Sequence, residues 1–241
     1  MKKTIWMLWL QGWDEAPAIV QACHASWQRK NPGWDIQALD LETLQHALPK
    51  ETLNRIFATD KAPEAISDQI RIELLGLHGG VWADASTLCV VPLDSWLYGH
   101  MASGFFAFER PIPERMIASW FLASTEQNYI IAAWRDVVRA YWRGRDVRHD
   151  YFWFHQLFGA LYDADPGFKQ MWDVTPTLPA AHPMHFAPED SRLYEPPTPM
   201  HLQCLKTPPS PVFKLTHKLR HAPQPGALIE ILCRFGRGEL T

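Results

Sequence analysis

The 241-residue chain has no basic surplus, no long apolar run and no paired-cysteine spacing, and each absence closes off a class of function. Lysine and arginine number 23 against 26 acidic residues, for a net charge of −3. Proteins that hold nucleic acid set cations against phosphates. Neither a basic excess nor a basic stripe occurs here, so no nucleic-acid partner is expected. The four cysteines, Cys23, Cys89, Cys204 and Cys233, lie far apart with no C-x-x-C pair. Such spacing argues against a zinc site and a disulfide scaffold. Free thiols in a reducing cytoplasm are the expectation. The opening Met1 to Trp13 has an apolar run only from Ile5 to Leu10, and Gln11, Asp14 and Glu15 follow at once. A signal-peptide core or a membrane span needs a longer run. A buried first strand is therefore expected, in a chain with no repeat and no low-complexity tract.

Tryptophan and proline are abundant, at 12 and 20 residues. Aromatic faces pack against the C–H surfaces of sugars, although most tryptophans serve a core. Hydrophobic residues make up 47% of the chain, enough for one large domain.

The pattern along the chain predicts alternating strands and helices. Thr4 to Leu10 reads as a strand, Ala16 to Arg29 as a helix ended by Asn31-Pro32-Gly33, and Trp34 to Leu39 as a second strand. This β-α-β unit implies parallel strands and an α/β fold. Leu41 to Leu48 and Glu51 to Ala58 read as short helices. A longer one runs from about Ala62 to His78 and stops at Gly79-Gly80. Val81 to Ala83 and Leu88 to Val91 read as short strands, and Gly104 to Glu109 as a weaker one. Glu114 to Ser124, Tyr129 to Trp142, Tyr151 to Tyr162 and Gly226 to Phe235 read as helices. Pro176 to Pro211 reads as an extended wrap over the site.

The segment from Ser67 to Ser86 carries the chemistry. Asp68 and Arg71 share a helix face. The Gly-Gly turn then leads into a short apolar strand that delivers Asp84 and Ser86 at its carboxyl end, where α/β folds bind ligands. A carboxylate there suits Mn2+ or Mg2+, which prefer oxygen ligands and bridge phosphates. Asp150, beside aromatics at a helix start, suits either a helix cap or a contact with the reacting groups. His182 and His185 have ligand-like spacing without an evident third ligand, and His155 reads as a packed core histidine.

The string Ser67-Asp68, Arg71, Leu75, Gly79-Gly80, Trp82, Asp84 and Ser86 resembles the S-D-x-x-R-x-x-x-L-x-x-x-G-G-x-[YW]-x-D-x-[DS] signature of DxD-containing glycosyltransferases. It is closest to the capsular polysaccharide synthesis branch, related to glycosyltransferase family 32. Ile5 to Gly12, Ser26 to Pro32, Ser119-Trp120-Phe121, Asp150-Tyr151-Phe152 and Lys214 to Lys218 also look like that family, in order along most of the chain.

The resemblance implies a GT-A-like, Rossmann-related α/β fold. It would be a single domain with a mixed central sheet and helical, loop-rich C-terminal additions. Residues 1–110 would form the nucleotide-sugar-binding core and residues 111–241 the acceptor side of the same domain. Implied too is a retaining transfer from a nucleotide sugar, UDP-sugar favoured, to a hydroxyl of a bacterial surface glycan, with Mn2+ or Mg2+. Donor-binding residues by resemblance are Trp9, Gln11, Asp68, Arg71, Asp84, Lys214 and Lys218. Arg71 and Asp150 would be catalytic, and Asp84 and Ser86 would hold the metal. Phe213 stands where the family often has histidine, and His217 is a candidate substitute. Lipid-linked acceptors would place the protein in the cytoplasm, with peripheral contact to the inner membrane. Two other readings compete. One is a haloacid dehalogenase-like phosphohydrolase, suggested by Asp84-Ala85-Ser86-Thr87. The other is a sugar-binding protein without catalysis.

Overall fold

In the computed structural model, which describes residues 1–58, 62–219 and 224–240, a six-stranded mixed sheet forms the centre of the molecule. Strand β1 (Thr4–Leu8) is buried along its whole length and alternates between two cores. Ile5 and Met7 enter one cluster with Trp27 and Trp34, while Trp6 and Leu8 enter another with the helices of the opposite face. Helix α1 (Ala18–Lys30) carries the chain across to β2 (Asp35–Leu39), which pairs parallel with β1. Two short helices follow, α2 (Leu44–Ala47) and α3 (Lys50–Phe57), then α4 (Pro63–His78).

Helix α4 returns the chain to β3 (Gly80–Ala83), parallel to β1 on its other side. The turn between them requires both glycines. Gly79 and Gly80 have φ of 61° and 95°. A side chain on Gly80 would meet the Thr4 carbonyl oxygen at 2.7 Å, and one on Gly79 the Glu126 amide nitrogen at 2.9 Å. Backbone this close to backbone leaves room only for hydrogen.

Strand β4 (Thr87–Cys89) comes next, then β5 (Phe105–Ile112) and β6 (Arg115–Ser124), a hairpin that joins the central sheet through β6 against β3. The helix expected over Glu114 to Ser124 is thus a strand. Its sequence, Met116 to Ser124, is almost continuously buried, with Ile117 and Leu122 facing one core and Ala118, Trp120 and Ala123 the other. A strand covered on both faces loses the polar-apolar alternation that marks a strand in sequence, and it reads like a buried helix.

Helices α5 (Tyr129–Tyr141), α6 (Trp153–Ala164) and α7 (Pro166–Asp173) cover one face of the sheet. Strand β7 (Leu178–Pro179) pairs with β5 at the sheet edge. The extended wrap contains a helix, α8 (Pro199–Lys206), closed by a capping box between Thr198 and His201. Strand β8 (Val212–Lys214) forms a separate two-stranded sheet with β4. Finally α9 (Leu228–Arg237) packs on α1.

The expected boundary near residue 110 falls inside β5, and strands from both parts share the sheet. All four cysteines are buried free thiols. Burial pushes Cys89 up to about 12 and Cys233 to about 11, so neither is a reactive thiolate near neutrality. Among the described residues no helix is long and apolar enough to cross a membrane.

Candidate functional site

Strands β1 and β3 run parallel and end side by side, and a cavity of about 830 Å³ opens at those carboxyl ends. Each neighbouring element contributes by the way it terminates. Trp9 follows directly on β1, and Asp84 follows directly on β3. Helix α4 begins here, so its first turns present Glu64, Asp68 and Arg71 to the cavity. Strand β8 reaches it with Lys214, and the chain beyond adds His217 and Lys218.

The floor is a continuous string of ion pairs. Arg71 Nη1 lies 2.7 Å from Asp68 Oδ1, and Arg71 Nη2 lies 3.0 Å from Asp84 Oδ1. The indole N–H of Trp82 donates to the same Asp84 oxygen at 2.9 Å. Lys214 Nζ donates to Asp84 Oδ2 at 3.1 Å and to Ser86 Oγ at 2.8 Å. The guanidinium also packs against the rings of Trp82 and Phe154, with centroids at 5.1 and 5.7 Å. Arg71 is buried together with Asp68. Its planar fork reaches two carboxylates at once, which an ammonium could not do in the same place.

Electrostatics separate the two aspartates. Burial pushes the Asp68 carboxyl up to about 7, opposed by Arg71 and reinforced by the charge on Asp84. Burial acts on Asp84 in the same sense, but Lys214, Arg71 and the Trp82 hydrogen bond outweigh it and hold that carboxyl below its ordinary value. Asp84 is therefore ionised at neutrality, while Asp68 titrates there. His155, also on the cavity wall, is lowered to about 3, first by burial and then by Arg115 and Arg71. It is a neutral imidazole at any working pH, and its Nδ1 is buried with no hydrogen-bond partner among the described residues.

Most of the expected site residues converge. Trp9, Gln11, Asp68, Arg71, Asp84, Ser86, Lys214 and Lys218 all line the cavity. Trp9 stands edge-on to His217 with ring centroids 4.9 Å apart. Lys218 pairs with Glu64 at 2.8 Å near the rim. Asp150, expected to be catalytic, is not on the cavity wall. Its Oδ1 accepts from the Phe152 amide at 2.7 Å and from Gln156 Nε2 at 3.1 Å, so it tethers the start of α6. Phe213 is fully buried with its ring centroid 5.6 Å from that of His182, and its side chain has no ligand atom to offer.

On the other side of the cavity sequence reasoning singled out only His182 and His185 and missed three further residues. Arg115, Trp120 and Tyr151 line it. Arg115 lies over the Phe152 ring at 3.9 Å. It stands on the strand misread as a helix, so no periodicity pointed it inward. His182 and His185 are also on this wall, with ring centroids 6.1 Å apart, and His182 is lowered to about 4, mainly by burial.

The arrangement does not fit the divalent cation that the D-x-D resemblance implies. Such a cation takes about six oxygen ligands, normally one or two carboxylates among them. Here the second acid is Ser86, and both Asp84 oxygens and the Ser86 hydroxyl already accept from Arg71, Trp82 and Lys214. Among the described residues no group of three or more His, Cys, Asp or Glu is placed to hold a metal ion.

A family model described as capsular polysaccharide synthesis protein matches residues 1–225. Glycosyltransferase afumC of Aspergillus fumigatus is 28% identical over 160 residues, which cover 59% of this chain and 41% of that protein. O-glycosyltransferase braB of Annulohypoxylon truncatum is 24% identical over 161 residues, 59% of this chain and 38% of that one. The matches thus span about two fifths of these relatives' length. Among solved structures, PaToxG glycosyltransferase superposes with a TM-score of 0.50 at 18% identity, over 71% of this chain and 73% of that one. The fold is that of a GT-A-like α/β protein with a mixed central sheet.

Proposed function

This chain belongs to the capsular polysaccharide synthesis protein family, and from that premise we propose that it is a glycosyltransferase moving a sugar from a nucleoside diphosphate sugar to a hydroxyl of a bacterial surface glycan, in capsule or lipopolysaccharide. The observation that carries the reading is the Asp68–Arg71–Asp84–Lys214 string at the carboxyl ends of β1 and β3, with Trp9 beside it. Two cations on an apolar-walled floor suit a diphosphate. An indole at the neighbouring strand end suits the face of a base.

In this reading Trp9 stacks on the base, uracil being favoured, and Gln11 lies in the same loop. Asp68 accepts from donor hydroxyls. Arg71 and Lys214 hold the diphosphate and stabilise the charge that builds on it as the glycosidic bond breaks. The acceptor enters over Arg115, Trp120 and Tyr151, a wall with the aromatic surface that sugars pack on. Retention of configuration, lipid-linked acceptors and peripheral work at the cytoplasmic face of the membrane are the finer parts of the proposal. Mn2+ or Mg2+ on Asp84 would require Lys214 to leave, and no step here depends on it.

The phosphohydrolase alternative needs Asp84 as a free nucleophile, whereas both of its oxygens are held by N–H donors. A panel of nucleotide sugars, assayed for release of nucleoside diphosphate with and without glycan acceptors, tests the proposal. At least one donor should be turned over. Phosphate release from simple esters with no donor turnover would sink it.

A further inference from the structure

We propose that Lys214 stands in for the divalent cation, so that this site binds and activates its donor diphosphate without a metal. The inference rests on the nucleotide-sugar reading above and concerns how the same site handles the leaving group.

Three observations carry it. The first is occupancy of the ligand positions. In a D-x-D site two acids offer their oxygens to a cation. Here the second is replaced by Ser86, and the ammonium of Lys214 sits between the Ser86 hydroxyl and the outer oxygen of Asp84, at 2.8 and 3.1 Å. The inner oxygen of Asp84 is held by Arg71 and Trp82.

The second is that the lysine is placed by backbone, not by a wandering side chain. Residue 214 is paired with Thr87 in the β4–β8 sheet. The next amide, Leu215 N–H, donates to the Ser86 carbonyl at 2.9 Å, and the Lys214 carbonyl accepts from Phe186 N–H at 2.8 Å. The side chain is 19% exposed. Its ammonium therefore enters the cavity floor from a position fixed on both sides.

The third is charge. One aspartate, Asp84, lies between two cations, Arg71 and Lys214. Exchanging the second acid of a D-x-D pair for a hydroxyl removes a negative charge, and Lys214 adds a positive one. A divalent ion placed on Asp84 would meet an adjacent ammonium and a single carboxylate ligand. A diphosphate meets instead a guanidinium and an ammonium whose charges Asp68 and Asp84 balance, on a floor with hydrogen-bond donors to offer. An ammonium has three N–H donors. Asp84 and Ser86 take two, and the third is free to point at a phosphate oxygen.

In the transfer, the bond from the anomeric carbon to the phosphate oxygen breaks and its electron pair goes to that oxygen. The acceptor hydroxyl oxygen forms the new bond to the carbon, and its proton leaves with the departing diphosphate. Lys214 gives up no proton in this step and lowers the cost of the charge on the leaving group.

The test uses the full chain stripped with EDTA. UDP binding is measured by calorimetry in EDTA and again with Mn2+, and Mn2+ binding to the protein alone is followed by electron paramagnetic resonance. Expected are UDP affinities within about twofold in the two conditions, no tight Mn2+ signal, and donor turnover that survives EDTA. Lys214→Gln should weaken UDP binding in EDTA by tenfold or more, with Lys214→Arg recovering part of it. The variant Ser86→Asp/Lys214→Ala should gain a Mn2+ signal that the wild-type chain lacks. UDP binding or donor turnover lost in EDTA and restored by Mn2+ in the wild-type chain would overturn the lysine's role yet leave the glycosyltransferase reading standing. Failure to bind any nucleotide or nucleotide sugar in both conditions would overturn both.

Discussion

Arg71 is the side chain on which the site's geometry turns, because among the described residues it alone bridges Asp68 and Asp84. Arg71→Lys keeps the charge but cannot reach both acids with one fork. We expect turnover to fall by about 10²- to 10³-fold, the usual cost of losing one preorganised charge donor, with the fold intact by circular dichroism. An equal rate in the Lys variant would remove Arg71 from the mechanism. Asp68 supplies a second residue-scale prediction. Its folded value, about 7, lies above the ordinary 3.8, so between those values the folded chain holds more protons than the unfolded one. The Asp68 contribution to stability therefore declines as pH rises through that window. Asp68→Asn should become more stable relative to wild type as thermal melts move from about pH 5 to about pH 8. A constant difference across that range would contradict the assignment. Residues of this kind were legible because local sequence places them: Asp68, Arg71 and Asp84 sit within one helix–turn–strand unit. The Lys214–Asp84 contact spans 130 positions, and nothing local announces it.

At the scale of elements, α4, its glycine turn and β3 act as one unit, and α4 is anchored in the core as well as in the site. Its Glu73 is buried and held by Arg55 of α3 and Arg139 of α5, so the helix that carries Asp68 and Arg71 is fixed to both neighbours. The turn is the weak point for substitution. Gly80→Ala would set a methyl group 2.7 Å from the Thr4 carbonyl in a backbone conformation that L side chains rarely adopt. We expect a loss of roughly 1–3 kcal/mol or more in chemical denaturation. A midpoint unchanged from wild type would mean that β1 and β3 tolerate separation. The first three strands and the long helix were readable because the turns between them have distinct chemistry. Strand β6 was not, since burial on both faces erases its period, and the Arg115 side of the cavity was lost with it.

Across the whole molecule, the two sheets tie distant segments together. The central sheet takes strands from the first and second halves, and the small sheet joins β4 to β8 near the end of the described chain. Helix α9 closes on α1, where Gly236 meets the Ala22 carbonyl too closely for any side chain. Interleaving of this kind leaves no half with a core of its own. Tryptophan fluorescence and far-ultraviolet circular dichroism should therefore report coincident unfolding transitions. Two separated midpoints would show that the halves behave as independent units. Of the 12 tryptophans, Trp27, Trp134 and Trp153 are fully buried in the core, Trp82 is as deeply buried yet also borders the cavity, and Trp9 and Trp120 line it.

The pairing of β4 with β8 also has a temporal meaning. A ribosome delivers Asp84 and Ser86 long before it delivers Lys214. A nascent chain that has reached residue 211 already contains every strand of the central sheet, yet its aspartate has no cation on the outer oxygen. The cavity floor is thus completed only after the central sheet, and a chain released before Lys214 would carry the scaffold without the Lys214–Asp84 pair.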